Sequence, residues 1–277
     1  MLQSEIESAR QQFEANNQKG IYHEFGVNPY YIVSCVFENN PSCDIIKCVT
    51  EEFFPLCIDV LNSNCSFDTK DQCAECLCTA LGYYHKNGID IPSALIGCIQ
   101  NVSLEDSSDF IMTHRSNEGL WCRLIILKIL VGVLEKQVLI QWCFSYSKKD
   151  AKERRALVQC LKTYLQYSVN VSSDVDALIT SIIFQCSEDQ DVYIRTIACE
   201  CLWYMLDSQY AEQAEEKIDE MSIDPAPVIR SRLLYIFKES NSTHKALVNK
   251  ITLRLVNDAN YIIRKQAKNI LEGILEM

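Results

Sequence analysis

The residues best suited to chemistry are a group of cysteines near the end of the first third of the chain. Cys73, Cys76 and Cys78 lie close together, with Cys65 before them and His85 after them. Thiolate and imidazole groups are the usual ligands of structural zinc, which needs four of them in a tetrahedron. However, the three central cysteines belong to one continuous helical pattern, in which the second and third point about 200° apart. We therefore predict that these thiols are packing groups, and we expect no metal and no cofactor.

Side chains that could form a catalytic site are scattered. His85, His114 and His244 stand alone, and no Ser or Cys has a base at a spacing that a sequence can show. The glycine-rich loop that binds phosphates is absent. The sequence thus offers no catalytic residues, and we expect a protein that is not an enzyme.

The charge distribution indicates which partners to expect. The one basic cluster, Lys148–Arg155, is compensated by Asp150 and Glu153, and the whole chain has a formal net charge of −11 at pH 7. Residues 1–147 carry 9 basic and 18 acidic side chains, whereas residues 148–277 carry 17 and 19. A negative field repels nucleic acid and anionic lipid. We therefore expect a protein or peptide partner with a basic face, and neither nucleic acid nor a membrane.

The elements that position these residues are predicted to be helices. Hydrophobic residues make up 48% of the 277 positions, while 8 Gly and 6 Pro supply few of the tight turns of an all-β protein. The first residues do not resemble a secretion signal, and no apolar run is long enough to span a bilayer. We expect a cytoplasmic protein with reduced thiols. Cysteines at helical spacing that we expect in the core are Cys98, Cys122, Cys143, Cys160, Cys186 and Cys201.

Three segments near the C-terminus share one pattern, in which an Arg follows an Asp by six residues and an Ile comes directly before the Arg. The arginines recur at intervals of 35 and 34 residues, and apolar residues follow each one at helical spacing. Repeats of this length are typical of stacked helix pairs, in which each unit buries its apolar side against its neighbours. The pairs are Asp189 and Arg195, Asp224 and Arg230, and Asp258 and Arg264.

Both charged residues of this pattern have a physical role. A carboxylate just before a helix accepts hydrogen bonds from free backbone amides. The Arg lies inside the helix, and its planar fork can reach a carboxylate of a neighbouring unit. We therefore predict a ladder of charge-assisted bonds that sets the register between units. The alternative is that each Arg is a solvated helix residue.

These Asp and Arg residues make the units resemble HEAT repeats. A HEAT repeat has two antiparallel helices and carries an Asp and an Arg near the start of the second helix. The resemblance is clear for residues 149–277 and extends to residues 1–148 only by analogy. It implies an all-α, right-handed α-α superhelix, an armadillo-like solenoid of roughly six to eight helix pairs. We expect a single helical-repeat domain over residues 1–277, acidic and degenerate at 1–147 and recognisable at 148–277.

Further units are predicted upstream. A fourth unit is predicted around Arg155, which is the expected equivalent of Arg195 in the second helix of that unit. Lys149 occupies the position at which the pattern has an Asp. The segment around Arg123 resembles another such helix. Residues 4–18 are predicted to be helical. Residues 103–118 are predicted to form a long loop between helices, with a disordered segment as the alternative.

The resemblance implies a non-catalytic scaffold or adaptor, because the second helices of such arrays line a concave docking groove. Trp203 and Tyr235 are the predicted aromatic anchors, and packing between repeats is the alternative role of both. The candidate partner-binding residues on the second helices are Thr196, Glu200, Trp203, Ser231, Tyr235, Lys238, Lys265, Asn269 and Glu272.

Enzymes with HEAT-like architecture provide the alternative function. DNA glycosylases of this type act on nucleic acid and need a basic groove. Di-iron hydroxylases use repeated His-Glu pairs, whereas this chain has only His23-Glu24. An enzyme that acts on nucleic acid is therefore the alternative function that the resemblance allows.

Overall fold

The structure, a computed structural model, describes residues 6–7, 11, 30, 33, 36–37, 41–63, 67–102, 118–135, 137–167, 173–239 and 244–275. Regular secondary structure within these ranges is entirely helical, which confirms the all-α class. Most of the predicted helix at 4–18 and nearly all of the predicted loop at 103–118 lie outside the described residues. Cys65, His114 and the His23-Glu24 pair lie outside them as well.

The helices are defined as follows. In the first part of the chain they are α1 (Cys43–Cys48), α2 (Phe54–Asn62), α3 (Phe67–Asn87), α4 (Ser93–Asn101) and α5 (Glu118–Leu130). In the second part they are α6 (Gln137–Phe144), α7 (Ala151–Tyr167), α8 (Ser173–Ser187), α9 (Val192–Met205), α10 (Ala211–Met221), α11 (Pro227–Glu239), α12 (Lys245–Leu255) and α13 (Tyr261–Leu275). A π-helical turn, Val49–Phe53, joins α1 to α2, and a 3-10 turn, Tyr146–Lys148, follows α6.

Contacts divide the chain into two compact units. The first contains the described residues up to Val138 together with Tyr167, and the second contains Leu139–Gln166 and the described residues from Ser173 onward. The boundary lies within α6, upstream of the change in charge composition at residue 148. Each unit has its own buried core.

The first unit is built around α3, which packs against α5 and α2. Tyr84 of α3 is fully buried, lies 5.5 Å from the Phe54 ring centroid and shares a hydrogen bond with the Thr50 hydroxyl. The π-helical turn directly precedes Pro55, which has no amide hydrogen for the regular helical ladder. Single π-helical turns of this kind occur mostly within longer α-helical segments.

The second unit contains two rows of helices. In the first row α8 contacts α10, and α10 contacts α12; in the second row α9 contacts α11, and α11 contacts α13. Helix α8 also packs on α9, and α12 packs on α13. The second-row helices begin just after the aspartates of the repeat pattern, as the sequence predicts.

Side chains fix where the helices of the second unit begin. Asp191 precedes α9, and its carboxylate accepts a hydrogen bond from the Tyr193 amide at 2.9 Å. Asp150 and Glu153 form a reciprocal capping box at the start of α7. Pro227 is the first residue of α11, where a missing amide donor costs little.

The cysteines expected in the core are buried and carry free thiols. Burial raises the pKa of the Cys143 and Cys186 thiols to about 12. These thiols therefore act as small apolar groups, as the helical spacing predicts. None of the helices in the described ranges has both the length and the apolar character needed to cross a membrane.

Candidate functional site

Three arginines of the second unit reach forward to aspartates of the following repeat. Arg195 Nε and Nη2 donate to Asp224 Oδ2 and Oδ1 at 2.9 and 3.2 Å. Arg230 makes the same two bonds to Asp258 at 2.6 and 3.0 Å. Arg154 makes them to Asp189 at 2.8 and 3.1 Å. Each contact is a bidentate, charge-assisted pair between neighbouring repeats, and together we call them the ladder.

The third nitrogen of each fork holds the turn in front of its own helix. Arg195 Nη1 donates to the Asp189 carbonyl at 2.7 Å, and Arg264 Nη1 donates to the Asp258 carbonyl at 2.6 Å. Arg230 Nη1 donates to the Asp224 carbonyl. One guanidinium thus fixes both its own turn and the next repeat.

Each aspartate of the ladder is oriented by its own backbone. The Oδ1 atoms of Asp189, Asp224 and Asp258 accept hydrogen bonds from the amides two residues later, at 2.8, 2.7 and 2.7 Å. Such turns are a common conformation of Asp before a helix. The carboxylate is therefore held in place for the arriving arginine.

The ladder is largely shielded from water. The Arg230 and Asp258 side chains are 12% and 5% exposed. The hydrogen bonds from Arg230 outweigh the effect of burial and lower the pKa of Asp258 below its usual value. Burial alone would raise the pKa of Asp189, but hydrogen bonds from Arg154, the Asp191 amide and Tyr146 lower it. These carboxylates remain ionised well below neutral pH.

In the fourth repeat the structure corrects the arginine that we assigned. Arg154, and not Arg155, binds Asp189, and its Nη1 donates to the Lys149 carbonyl at 2.9 Å. Arg155 instead donates from Nε to Asp191 at 2.7 Å. The reason is that Arg154, like the other ladder arginines, is the fourth residue of its helix, whereas Arg155 is the fifth.

Arg123, in the first unit, pairs in a different direction. Its guanidinium contacts Asp71 at 2.5 Å and Glu75 at 3.3 Å, both on α3, which is separated from α5 by α4 in the chain. The resemblance of this segment to a ladder helix therefore does not extend to its pairing. The contact links α3 to α5, the two helices that pack most closely in this unit.

Glu200 is a partner-binding candidate that the structure places elsewhere. The residue is buried, and its carboxylate contacts Lys162 at 2.7 Å and Arg232 at 2.7 Å. These side chains come from α7, α9 and α11, so one carboxylate connects three successive helices. Glu200 has little surface left for a partner, because its oxygens are already bound.

The other candidates differ in their exposure. Trp203 is half-buried, with its ring centroid 5.4 Å from that of Phe237 and 5.8 Å from that of His244. The Thr196 hydroxyl donates to the Val192 carbonyl, and the Ser231 hydroxyl donates to Gln266. The candidates that stay exposed are Tyr235, Lys238, Lys265, Asn269 and Glu272.

Exposed apolar residues at the starts of the second-row helices were not among our candidates. Tyr193, Val228 and Ile262 are each the second residue of their helix, and they are 41%, 51% and 63% exposed. We call these three residues the apolar edge. The sequence does contain the signal, since the three residues lie two positions before Arg195, Arg230 and Arg264. The apolar periodicity of these helices marks their buried face, so it gives these three exposed residues no role.

An open cavity of about 520 Å³ lies beside the ladder, between the ends of α8 and α10. Lys217 in its wall contacts Glu188 at 2.5 Å and Glu220 at 2.8 Å. Arg195, also in the wall, is bound to Asp224. The two cations of this cavity are thus already paired with carboxylates of the protein.

The cysteine group of α3 does not converge on one point. The Cys73 thiol faces the Cys57 carbonyl, and the Cys78 thiol faces the Arg123 carbonyl, each at 3.7 Å. In the part of the chain that the structure describes, no three His, Cys, Asp or Glu side chains are grouped so that they could hold a metal. Burial raises the pKa of the Cys78 thiol, which disfavours the thiolate that binds metals.

Comparison of the sequence with protein-family models finds no match, and comparison with curated proteins finds none either.

Proposed function

We propose that this protein is a non-catalytic scaffold that binds a protein or peptide along its second-row helices. The observation that carries the proposal is the apolar edge, in which exposed apolar residues recur at the same position of three successive second-row helices. Exposed apolar groups that recur in register are typical of binding surfaces. The ladder supports such a role, since it fixes the spacing between repeats.

We also propose that the two helix rows continue as a right-handed HEAT-like superhelix. Two rows of helices and an Arg-to-Asp bond at each step favour this arrangement. In such an array the second-row helices face a concave groove. Tyr235, which is 51% exposed, would then lie within that groove.

The proposed partner has a basic face and meets the protein in a reducing compartment such as the cytoplasm. The net charge of −11 supports the first point. The free thiols of the core support the second point.

A nucleic-acid enzyme has weaker support. Within the basic cluster, Arg154 and Arg155 are bound to Asp189 and Asp191. Lys149 lies 3.7 Å from Glu153. Cations that are already paired with carboxylates release few counterions from a phosphate backbone, and counterion release is what drives such binding.

The test compares the wild type with a variant in which Tyr193, Val228 and Ile262 are all replaced by Ser. Affinity capture from native lysate should recover one or more proteins with the wild type and lose them with the triple variant. Phe144→Ser is the matched control, because Phe144 is 73% exposed in the same unit but lies outside the edge. Equal capture by both variants would refute the role of the edge. Firm, salt-sensitive retention on heparin or DNA would favour the nucleic-acid enzyme instead.

A further inference from the structure

The apolar edge is one end of a stripe that continues along each second-row helix. Its three residues are the second residues of α9, α11 and α13. Residues three apart lie on the same face of a helix, so the fifth residue of each helix comes next on the stripe. These fifth residues are Thr196, Ser231 and Lys265, and none of the three is buried. A ligand that binds the edge therefore meets two hydroxyl groups and a cation beside it.

Successive second-row helices are related by nearly the same step. Helix α9 contacts α11, and α11 contacts α13. A ladder pair closes each of these steps, with Nε to Oδ2 distances of 2.9 Å for Arg195 and Asp224 and 2.6 Å for Arg230 and Asp258. Packed helices lie about 8–10 Å apart, so the residues of the edge follow one another at a regular interval of about this length.

Few chain conformations place side chains at that interval on one side. A polyproline II segment rises about 3.1 Å per residue with three residues per turn, so every third side chain points the same way about 9 Å further on. In a β-strand, residues three apart point to opposite faces. An α-helix needs seven residues to advance about 10.5 Å. The polyproline II conformation thus matches the edge with the shortest segment, at positions i, i+3 and i+6.

We infer that the apolar edge binds a segment of the partner in the polyproline II conformation. The segment carries apolar side chains at i, i+3 and i+6, and an acidic residue three positions beyond one end of that run. This inference rests on the proposed scaffold function and names the ligand of the same surface. The basic face proposed for the partner lies outside this segment.

The acidic position follows from α7, the second-row helix before α9. The ladder pair of Arg154 and Asp189 closes this step as well, with an Nε to Oδ2 distance of 2.8 Å. The second residue of α7 is Lys152, so an exposed cation occupies the position that is apolar in the next three helices. Within the described ranges, no carboxylate lies within ion-pair distance of the Lys152 ammonium. An acidic side chain one step beyond the apolar run therefore meets a complementary charge.

The hydroxyl groups beside the edge suit the main chain of such a segment. A polyproline II segment has no internal hydrogen bonds, so its main-chain groups bond to water or to a receptor. The Thr196 hydroxyl donates to the Val192 carbonyl at 2.8 Å, and the Ser231 hydroxyl donates to Gln266 Oε1 at 3.0 Å. Because both hydrogens are used within the protein, the two oxygens act toward a ligand as acceptors of amide hydrogens. A helical ligand bonds its amides internally and leaves these acceptors unused.

Aromatic rings complete the surface. Tyr193 is 41% exposed, and the Arg155 guanidinium of the preceding second-row helix lies 5.4 Å from its ring centroid. Tyr261, next to Ile262 of the edge, is 68% exposed. Aromatic side chains are the usual receptors of proline-rich polyproline II segments. Proline between the apolar positions would also fix the conformation before binding and so reduce the entropic cost.

The test selects ligands from a phage library of random sixteen-residue peptides, with the reduced full chain as bait. Counter-selection against the variant with Tyr193→Ser, Val228→Ser and Ile262→Ser removes peptides that bind elsewhere. The remaining peptides should carry apolar residues at i, i+3 and i+6 and should bind Phe144→Ser as they bind the wild type. Apolar residues at intervals of seven instead, or no peptide that depends on the edge, would overturn the inference. In either case the lysate capture still decides the scaffold function, so the two proposals can fail separately.

The charge of Lys152 provides a second test with one selected peptide, measured by fluorescence anisotropy at low salt. Replacing the acidic residue of the peptide by Lys should weaken its binding to the wild type about fivefold. Lys152→Glu should reverse this preference, so that the Lys peptide binds more tightly than the acidic one. Lys245→Glu, at an exposed cation of the first-row helix α12, is the matched control and should change both affinities less than about twofold. Equal affinities of the two peptides for the wild type would overturn the acidic position.

Discussion

Arg230 and Asp258 form a bidentate pair between consecutive repeats, with Nε to Oδ2 and Nη2 to Oδ1 distances of 2.6 and 3.0 Å. The same arginine holds the Asp224 carbonyl of its own turn. One side chain therefore couples two repeats that are separated by a helix of the first row. The Arg154–Asp189 and Arg195–Asp224 pairs have the same arrangement, with the arginine at the same position of its helix and the aspartate in the same turn.

Replacing Arg230 by Ala should lower the free energy of unfolding by about 2–4 kcal/mol. The change leaves the carboxylate of Asp258 largely buried without its cation, and removing one partner of such a pair is costly. Urea denaturation followed by circular dichroism would measure the loss. Lys238→Ala on the same helix is the control and should change stability by less than about 0.5 kcal/mol. A loss of similar size for both variants would contradict a specific role of the pair.

Stability should fall in acid because of the ladder aspartates. The folded-state pKa of Asp258 is lowered, chiefly by its hydrogen bonds from Arg230, so the unfolded chain binds a proton more readily than the folded one. The stabilisation from Asp258 is therefore complete above the ordinary Asp pKa of about 3.9 and decreases as the pH falls from there through the folded pKa. Thermal melts at a series of pH values below about 5 would show this decrease in the wild type and a smaller one in Asp258→Asn.

Glu200→Gln should destabilise the second unit by about 1–3 kcal/mol, because the half-buried cations Lys162 and Arg232 lose the buried carboxylate between them. Replacing Arg232 by Met in the same chain should recover part of the loss, since it removes one of the two unpaired charges. Chemical denaturation of the single and double variants would measure both effects. Glu272→Gln, at an exposed position of α13, is the matched control and should be nearly neutral.

The sequence predicts the repeat and its charged residues well, because both depend on local spacing. The identity of the fourth arginine could not be predicted by the same count. A count of six residues from Lys149 leads to Arg155, but Lys148 is the residue that lies three positions before its helix, as the ladder aspartates do. The ladder arginines share the fourth position of their helices, and Arg154 is the residue at that position in α7.

The role of Glu200 depends on contacts that a sequence does not show. A carboxylate at a surface position of a predicted helix is expected to face water or a partner. Here Lys162 and Arg232 approach from the helices on either side, and the pair interactions depend on how the rows are aligned. The ends of these helices could be predicted, but their relative alignment required coordinates.

Exposed cysteines should react with thiol reagents faster than buried ones. Cys43 is exposed and Cys48 is half-buried, while the other cysteines in the described ranges are buried. Burial and the neighbouring Glu52 raise the pKa of Cys48, so it should react more slowly than Cys43. Mass spectrometry after maleimide labelling of the native protein should locate the first label on Cys43, and the labelling should be repeated on Cys43→Ser. Early labelling of Cys73, Cys76 or Cys78 would contradict the packing of α3.

Trp203→Ala should reduce stability by about 2–3 kcal/mol, in addition to any effect on partner binding. The ring packs at 5.4 Å from Phe237 on the neighbouring second-row helix and at 5.8 Å from His244, and removing a large aromatic group that makes such contacts leaves a void. Thermal denaturation would measure the loss, with Tyr204→Ala as the control because Tyr204 is 37% exposed on the same helix. A Trp203→Ala variant that melts with the wild type but fails to capture a partner would show that the indole is a binding anchor. A large fall in melting temperature assigns it to the contact between repeats, and this is the outcome that the ring contacts favour.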